Sequence, residues 1–266
     1  MQKKIIFSLI LFLSLLNINN TNAQSTSLTI PRISQFATVS QTIGITDISI
    51  HYHRPAARGR KVWGNLIPYD QGQPIPWRAG ANETTTFTTT TDIFVEGQEL
   101  KSGTYGLHMI ASENEIEIIF NKNADSWGSY SYNPSEDVLK VKSNVISLKE
   151  PIEFLTYNFT ELRSDSASLE LMWGMKKASI NLSINTKELT YQSIKQELQK
   201  NAGWTWLGYF EAAQYLYRND IHLNQALQWA GRSVFTNPNN RNMILMAQIS
   251  AKINHTEDDH VAIINH

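Results

Sequence analysis

Cationic and aromatic side chains suited to ligand binding are concentrated between positions 51 and 83. This stretch has five basic and two acidic residues, in a chain of 266 residues with a formal net charge of −1. Trp63, Tyr69 and Trp77 are interleaved with the cations. A planar guanidinium beside aromatic rings suits a carboxylate, a phosphate or a sugar, through paired hydrogen bonds and stacking. We therefore predict ligand-binding roles for Arg54, Arg60, Trp77 and Arg78. The alternative is that the arginines fix a long loop by bonding backbone carbonyls and Asp137.

A second group of candidate residues extends this site along the chain. The motif WRAGAN places Asn82 before a threonine-rich strand, and WGSYSY provides Trp127 and Tyr132, with Asp137 close in sequence. Tryptophan and tyrosine combine a large apolar surface with a polar group, which suits sugar or peptide recognition, although core packing explains them equally well. Asn82 is also typical of a turn. We include Asn82, His108, Trp127, Tyr132 and Asp137 in the predicted ligand site.

Acid–base and metal chemistry are the alternatives to simple binding. His51 and His53 are two residues apart on a predicted strand and so face one side, and together with His108 they could hold zinc or copper. No HExxH motif accompanies them, so we predict no metal and no cofactor. Asp125, Asp137 and His108 could act as acid and base in a carbohydrate-active hydrolase or isomerase. The sequence has no GxSxG motif, no phosphate-binding glycine loop and no cysteine.

Residues 38–186 have the pattern of an antiparallel β fold. Short runs of β-branched and aromatic residues alternate with Gly, Asn, Asp and Ser, and few helical periods intervene. The spacing predicts strands over 45–52, 84–95, 99–101, 105–110, 116–121, 138–148, 152–162, 167–173 and 178–184. Strands at this spacing, without helices between them, favour a mainly β, two-sheet antiparallel β-sandwich.

A small helical region follows the predicted sandwich. From about Thr190 onwards, apolar residues recur in three runs at helical spacing. Aligned on Pro238, these runs resemble one tetratricopeptide (TPR) repeat and part of another. A region with fewer than about three repeats is not stable by itself and needs a further packing surface. We therefore expect the helices to pack against the sandwich or against a partner protein. We therefore predict a sandwich domain over 24–186 and a TPR-like region over 187–266, frayed after His255.

The first 23 residues have the composition of a secretory signal peptide. Lys3 and Lys4 precede an apolar run over 5–16, and Ala23 provides the small residue before a cleavage point. This run spans about 18 Å as a helix, which is too short to cross a membrane. We predict a periplasmic or secreted protein, cleaved after Ala23, with no membrane span. The near-neutral charge argues against nucleic-acid partners, and the lack of cysteine excludes disulfides.

Four motifs, in order, resemble those of one secreted bacterial family. They are HYHRPAARGRKVWGNLIPY (51–69), WRAGANETT (77–85), LKSGTYGLHMI (100–110) and FNKNADSWGSYSYNPSEDVLKV (120–141). The family is domain of unknown function (DUF) 2911, and the likeness extends over 33–184. The resemblance implies no reaction, and helical repeat-like tails accompany the domain in relatives. His53 and Ala79 stand where relatives commonly have serine and threonine, so roles tied to those hydroxyls do not carry over.

These patterns make a noncatalytic binding or envelope-associated module the first hypothesis. Its expected ligand is small and polar or anionic: a sugar, a peptide or an acidic metabolite. The hypothesis requires the loops at 51–83 and 127–132 to meet around one hollow. A protein partner bound through the helical tail is a further expectation.

Overall fold

The chain folds into an antiparallel β sheet followed by helices. This computed structural model describes residues 30–70 and 76–264, with side chains up to 255, so the predicted signal peptide (1–23) lies outside the described residues. Residues Ser34–His266 form one compact unit. More of the described residues lie in strands than in helices, which confirms the prediction of a mainly β fold.

All nine strands of the described residues belong to one antiparallel sheet. Their order is β1-β2-β3-β6-β7-β8-β9-β4-β5. A two-sheet sandwich is not shown, because β8 is long enough to pair with β7 along its first part and with β9 along the rest. The strands are β1 (Gln35–Ile43), β2 (Thr46–Arg54), β3 (Thr85–Thr89), β4 (Ile93–Val95), β5 (Gln98–Leu100), β6 (Gly103–Ala111), β7 (Glu115–Asn121), β8 (Asp137–Thr160) and β9 (Ser166–Ser183).

Three of the predicted strand boundaries are wrong. The segments 138–148 and 152–162 form the single strand β8, and 167–173 and 178–184 form the single strand β9. Pro151 and Gly174 therefore do not end these strands; the β8–β9 register shifts on both sides of the Ile152–Gly174 pair instead. Conversely, the predicted strand 84–95 divides into β3 and β4, which are far apart in the sheet order.

The inner face of the sheet closes around a single apolar core. After β2, the chain runs beside β8, where the Ala57 amide donates to the Glu153 carbonyl (2.8 Å) and the Leu155 amide donates to the Pro55 carbonyl (3.0 Å). Phe87 and Leu155, from opposite parts of the sheet, are both completely buried in this core. Burial of a large apolar side chain contributes about 1.5–3 kcal/mol, so this core is the main source of stability.

The outer face of the sheet is partly covered by residues 122–136. Directly paired residues face the same side, which places His51, Thr86, Gly106 and Asn121 in one row on this face. The covering segment approaches closely at Gly106, where an added Cβ would lie 2.3 Å from the Asn123 carbonyl oxygen. Only glycine fits this contact, so Gly106 lets the segment lie flat on the sheet.

Four helices follow the sheet, where the sequence predicts three, because the first predicted run divides into two helices. They are α1 (Thr186–Glu197), α2 (Trp206–Asn219), α3 (Leu223–Thr236) and α4 (Asn240–Ile264). Asn185 caps α1 and Thr205 caps α2 through their side-chain oxygens. The helices have their own apolar core, which includes Phe210 and Ala230. Within the described part of the chain, no helix is long and apolar enough to cross a membrane.

Candidate functional site

A cleft of about 700 Å³ lies between the loop after β2 and the strands β8 and β9. This volume is typical of a small-molecule site. We call it the basic cleft; its lining residues are Ala57, Gly59, Arg60, Lys61, Val62, Trp63, Tyr69, Glu113, Pro151, Glu153, Gly174, Met175 and Lys176. One of the predicted ligand-binding residues, Arg60, is among them.

The wall formed by the loop is fixed to the sheet by specific contacts. The Trp63 indole donates a hydrogen bond to the Trp173 carbonyl (2.8 Å), and the Trp63 side chain is only 4% exposed. Gly174 has a φ of 61°, and a Cβ there would lie 2.9 Å from Val62 Cγ2. The loop thus packs directly on the β9 backbone, which fixes this wall of the cleft.

Arg60, Lys61 and Lys176 line the basic cleft, and Lys176 lies against its aromatic part. Lys176 Nζ donates to the Glu113 carbonyl (2.8 Å) and the Tyr69 hydroxyl (3.3 Å). The same ammonium lies 6.0 Å from the Trp63 ring centroid and 5.9 Å from that of Tyr69. Both distances are within the range of a cation–π contact.

No carboxylate neutralises these cations. Arg60 donates to the carbonyls of Ala56 (2.7 Å) and Ala57 (3.0 Å), and Lys176 also bonds neutral oxygens. Among the described residues, neither of them nor Lys61 forms an ion pair. In contrast, five other lysines pair with carboxylates: Lys101, Lys140, Lys142, Lys177 and Lys252. The basic cleft therefore keeps positive charge available, although Glu113 and Glu153 also line it.

Arg54 and Trp77 do not line the basic cleft and make contacts within the fold. Arg54 donates to the Leu155 carbonyl (2.9 Å) and the Thr156 hydroxyl (2.8 Å), which joins β2 to β8. Trp77 is 9% exposed and stacks on Trp173, with ring centroids 6.2 Å apart. The alternative prediction was that the arginines bond backbone carbonyls. Arg54 makes such a bond, and so does Arg60.

The other predicted loops do meet, but on the outer face of the sheet. The Arg78 guanidinium donates to the Asn82 carbonyl (3.0 Å) and lies 5.8 Å from the Tyr130 ring centroid. It packs on Gly128, because a Cβ there would be 2.9 Å from the guanidinium carbon. Asn82 has a φ of 60° and its amide donates to the Ser34 carbonyl (3.3 Å), in agreement with a turn role. Trp127, 53% exposed, forms a backbone bridge with Glu83.

His108, Tyr132 and Asp137 form a polar network beneath the covering segment. His108 Nδ1 is 2.9 Å from Ser129 Oγ, and the His108 and Tyr132 rings are 5.0 Å apart. Asp137 accepts hydrogen bonds from Tyr132 Oη (2.7 Å) and Asn121 Nδ2 (2.7 Å). His108 is 1% exposed and the Asp137 side chain 6%, so this network holds the segment in place away from solvent.

Burial and hydrogen bonding fix the protonation states in this network. Burial lowers the pKa of His108 to about 4, and the charge of Asp137 opposes this shift only in part. Burial favours a higher pKa for Asp137, but hydrogen bonds from Lys140, Asn121 and Tyr132 outweigh it and leave the pKa below its usual range. Burial, followed by the contact with Asp137, raises the pKa of Tyr132. Near neutral pH, His108 is uncharged and Asp137 is ionised.

Comparison with protein families gives a match to the model described as "Protein of unknown function (DUF2911)" over residues 34–182, more than half of the chain. The chain belongs to the DUF2911 family. Comparisons with curated proteins and with solved structures found no match. The resemblance noted in the sequence is thus confirmed, and every lining residue of the basic cleft lies within the DUF2911 domain.

The DUF2911 domain has no metal-ligand cluster among its described residues. No group of three His, Asp or Glu side chains that could hold a metal ion is found there. His51 is exposed on the outer face, whereas His53 bonds the Ser34 carbonyl (2.9 Å) and Glu83 (2.9 Å). Asp125 is exposed in the covering segment, and no described contact joins it to His108 or Asp137.

Sequence reasoning missed several residues of the basic cleft in the DUF2911 domain. Lys176, Glu113 and Glu153 are each more than 40 residues away from the loop that they face, so spacing along the chain does not connect them. One usable signal is Gly174, because an isolated glycine inside a strand pattern indicates close approach of another backbone. Trp63 and Tyr69 were recognised as part of the cationic loop but not as the aromatic wall of a pocket.

Proposed function

We propose that this DUF2911 protein is a noncatalytic binding module that takes a small anionic ligand into the basic cleft. The observation that carries the proposal is that Arg60, Lys61 and Lys176, which lack carboxylate partners among the described residues, line one cleft in which Lys176 contacts the rings of Trp63 and Tyr69. Such a site fits a carboxylate or phosphate attached to a ring, of which an acidic sugar is the simplest example.

A binding role is favoured over acid–base catalysis by the burial of the candidate catalytic groups. A general acid at neutral pH needs a raised carboxyl pKa, yet that of Asp137 is lowered. His108 and Asp137 lie close together, but neither lines the basic cleft. The hydrolase or isomerase hypothesis therefore has no accessible acid–base pair among these residues to support it.

The proposal also covers the arrangement of the sheet, the role of the helices and the cellular location of the protein. We infer that the two ends of the curled sheet act as the layers of a sandwich, because β2 and β8 share one core. The helical region, which we interpret as TPR-like, contributes a surface for a protein partner; Trp204 and Phe235 there are each 83% exposed. The signal-peptide pattern of residues 1–23 supports a periplasmic or secreted module.

Isothermal titration calorimetry with glucuronate and glucose tests the proposed ligand class, because the two sugars differ mainly in one carboxylate. We expect the parent protein to bind glucuronate more tightly than glucose. Lys61→Gln and Lys176→Gln should each weaken glucuronate binding about tenfold or more, the size expected for loss of one charged hydrogen bond.

Lys122→Gln is the matched control, since Lys122 is an exposed lysine outside the basic cleft. It should bind glucuronate like the parent. Inorganic phosphate and glutamate serve as further anionic probes. If none of the three anions binds better than glucose, or if Lys122→Gln weakens binding as much as Lys61→Gln, the proposal is wrong.

A further inference from the structure

Three large aromatic side chains are exposed together on the outer face of the sheet, away from the basic cleft. Phe36 is 59% exposed, Trp127 53% and Tyr130 85%. We call these three residues the aromatic strip. Large aromatic rings that are exposed near one another mark a surface as a candidate binding site.

The strip is assembled from separate chain segments by a series of specific contacts. The Phe36 ring lies 5.4 Å from the His53 ring, and His53 Nε2 lies 2.9 Å from Glu83. Glu83 in turn forms a backbone bridge with Trp127. These contacts connect Phe36 on β1 to Trp127 in the covering segment.

The strip is held on a buried framework and is not carried by an isolated loop. Thr84 Oγ1 donates to the Gly128 carbonyl (2.8 Å), and His108 bonds Ser129, so both residues between Trp127 and Tyr130 are tied to the sheet. Arg78 lies on Gly128, which has a φ of 68°, and next to the Tyr130 ring. Preorganised aromatic side chains lose little conformational entropy when they bind.

The polar groups around the strip indicate which ligand it fits. Asn82, Glu83 and Arg78 provide hydrogen-bond donors and acceptors beside the rings, and the charges of Glu83 and Arg78 are opposite. A surface with this balance offers no net attraction to a charged polymer, in contrast to the basic cleft. Flat aromatic faces separated by hydrogen-bonding groups match sugar rings, whose faces are apolar and whose edges carry hydroxyls. A protein partner would instead favour a continuous apolar patch.

We propose that the aromatic strip binds the chain of a neutral polysaccharide, with successive sugar rings lying on Phe36, Trp127 and Tyr130. The strip offers three separate aromatic rings, so a polymer gains more contacts than a monosaccharide. This surface is separate from the basic cleft, and the inference does not depend on the function proposed for the cleft. The protein then has two sites for carbohydrate-derived ligands, one for a small anion and one for a chain.

Affinity electrophoresis of the full chain through gels containing laminarin, dextran, xylan or hydroxyethylcellulose tests this inference. At least one of these neutral polysaccharides should retard the parent protein. Trp127→Ala and Tyr130→Ala should each lower the affinity about tenfold or more, as expected for loss of a central aromatic contact. Trp204→Ala and Phe235→Ala are matched controls, because both side chains are highly exposed in the helical region; both should migrate like the parent.

The cleft variant Lys61→Gln separates the two proposals. It should keep the polysaccharide affinity of the parent, whereas Trp127→Ala should keep the glucuronate affinity. Thermal unfolding of Tyr130→Ala confirms that the fold is intact, since this ring is mostly exposed. Absence of retardation by all four polysaccharides, or equal losses in Trp204→Ala and Trp127→Ala, overturns the inference.

Discussion

Titration of His108 should lower the stability of the fold below neutral pH. The pKa of His108 is lowered from 6.5 to about 4, so between these values the unfolded chain binds a proton that the folded chain excludes. Stability from this residue is therefore complete above about pH 6.5 and is lost as the pH falls towards 4. Asp137 behaves similarly but in a lower pH range, because its pKa is lowered from 3.8.

We expect the free energy of unfolding to fall by about 2 kcal/mol between about pH 7.5 and about pH 5 through His108 alone. His108→Gln removes the titrating group, so its stability should change correspondingly less over this range. Urea unfolding at the two pH values measures both quantities. His51→Gln is the control, because His51 is an exposed histidine on the same face. Between the two pH values, its free energy of unfolding should fall by as much as that of the parent. An unchanged pH dependence in His108→Gln would contradict the assignment.

Among the elements, β9 forms the most constrained wall of the basic cleft, at Gly174. An alanine at this position meets two penalties: a positive φ and a close approach to Val62. Gly97, in the turn between β4 and β5, has a φ of 76° with no atom within 4 Å of the added Cβ. An alanine at either position is strained by the positive φ, and only an alanine at Gly174 also clashes with a neighbouring side chain.

Gly97→Ala should therefore lower the free energy of unfolding by about 1 kcal/mol, and Gly174→Ala by about 2–4 kcal/mol. Denaturant unfolding measures both values. Gly174→Ala should also weaken glucuronate binding, because Val62 lines the basic cleft. The double variant Gly174→Ala/Val62→Ala should recover part of the lost stability. Equal losses in the two single variants would show that the contact with Val62 is unimportant.

The individual strands were largely predictable because their residue pattern is local. Alternation identified β2, β6 and β7, and the change to helical spacing placed the start of the helices close to Thr186. The predicted strand ends near Pro151 and Gly174 were wrong. Both residues usually interrupt strands, but β8 and β9 continue through them because other contacts hold these strands. Thr84–Val95 looked continuous, yet β3 and β4 pair with different partners because the chain turns at residues 90–92.

The site was less predictable, because it depends on how distant segments pair. Arg78 and Trp127 do approach each other's loops, as the sequence suggested, but Arg60 lies in the basic cleft instead. The pairing of residues 55–57, directly after β2, with the middle of β8 determines this division, and it joins residues about 100 positions apart. Period and composition carry no information on contacts of that range.

At the scale of the whole molecule, the sheet and the helices have separate apolar cores. Phe87 and Leu155 belong to the first, and Ile249 and Ala230 to the second. Among the described contacts, the links between them are few: Leu189 packs at the border of the sheet core, and the Thr186 hydroxyl donates to the Ser164 carbonyl (3.3 Å). Regions that share few buried contacts open independently, so the helices should form their own cooperative unit.

Ile249→Ala tests this independence, because Ile249 is completely buried among the helices. Deletion of this side chain should cost about 2–5 kcal/mol and speed amide hydrogen exchange in α2–α4, while β6 and β7 keep their protection. Leu155→Ala should speed amide hydrogen exchange first in the sheet, because Leu155 belongs to the sheet core. Hydrogen exchange followed by mass spectrometry resolves both regions in one sample. Faster exchange of sheet and helices together in Ile249→Ala would show a single cooperative unit, and the helical region would then have to be treated as part of the DUF2911 fold instead of as an appended surface for partners.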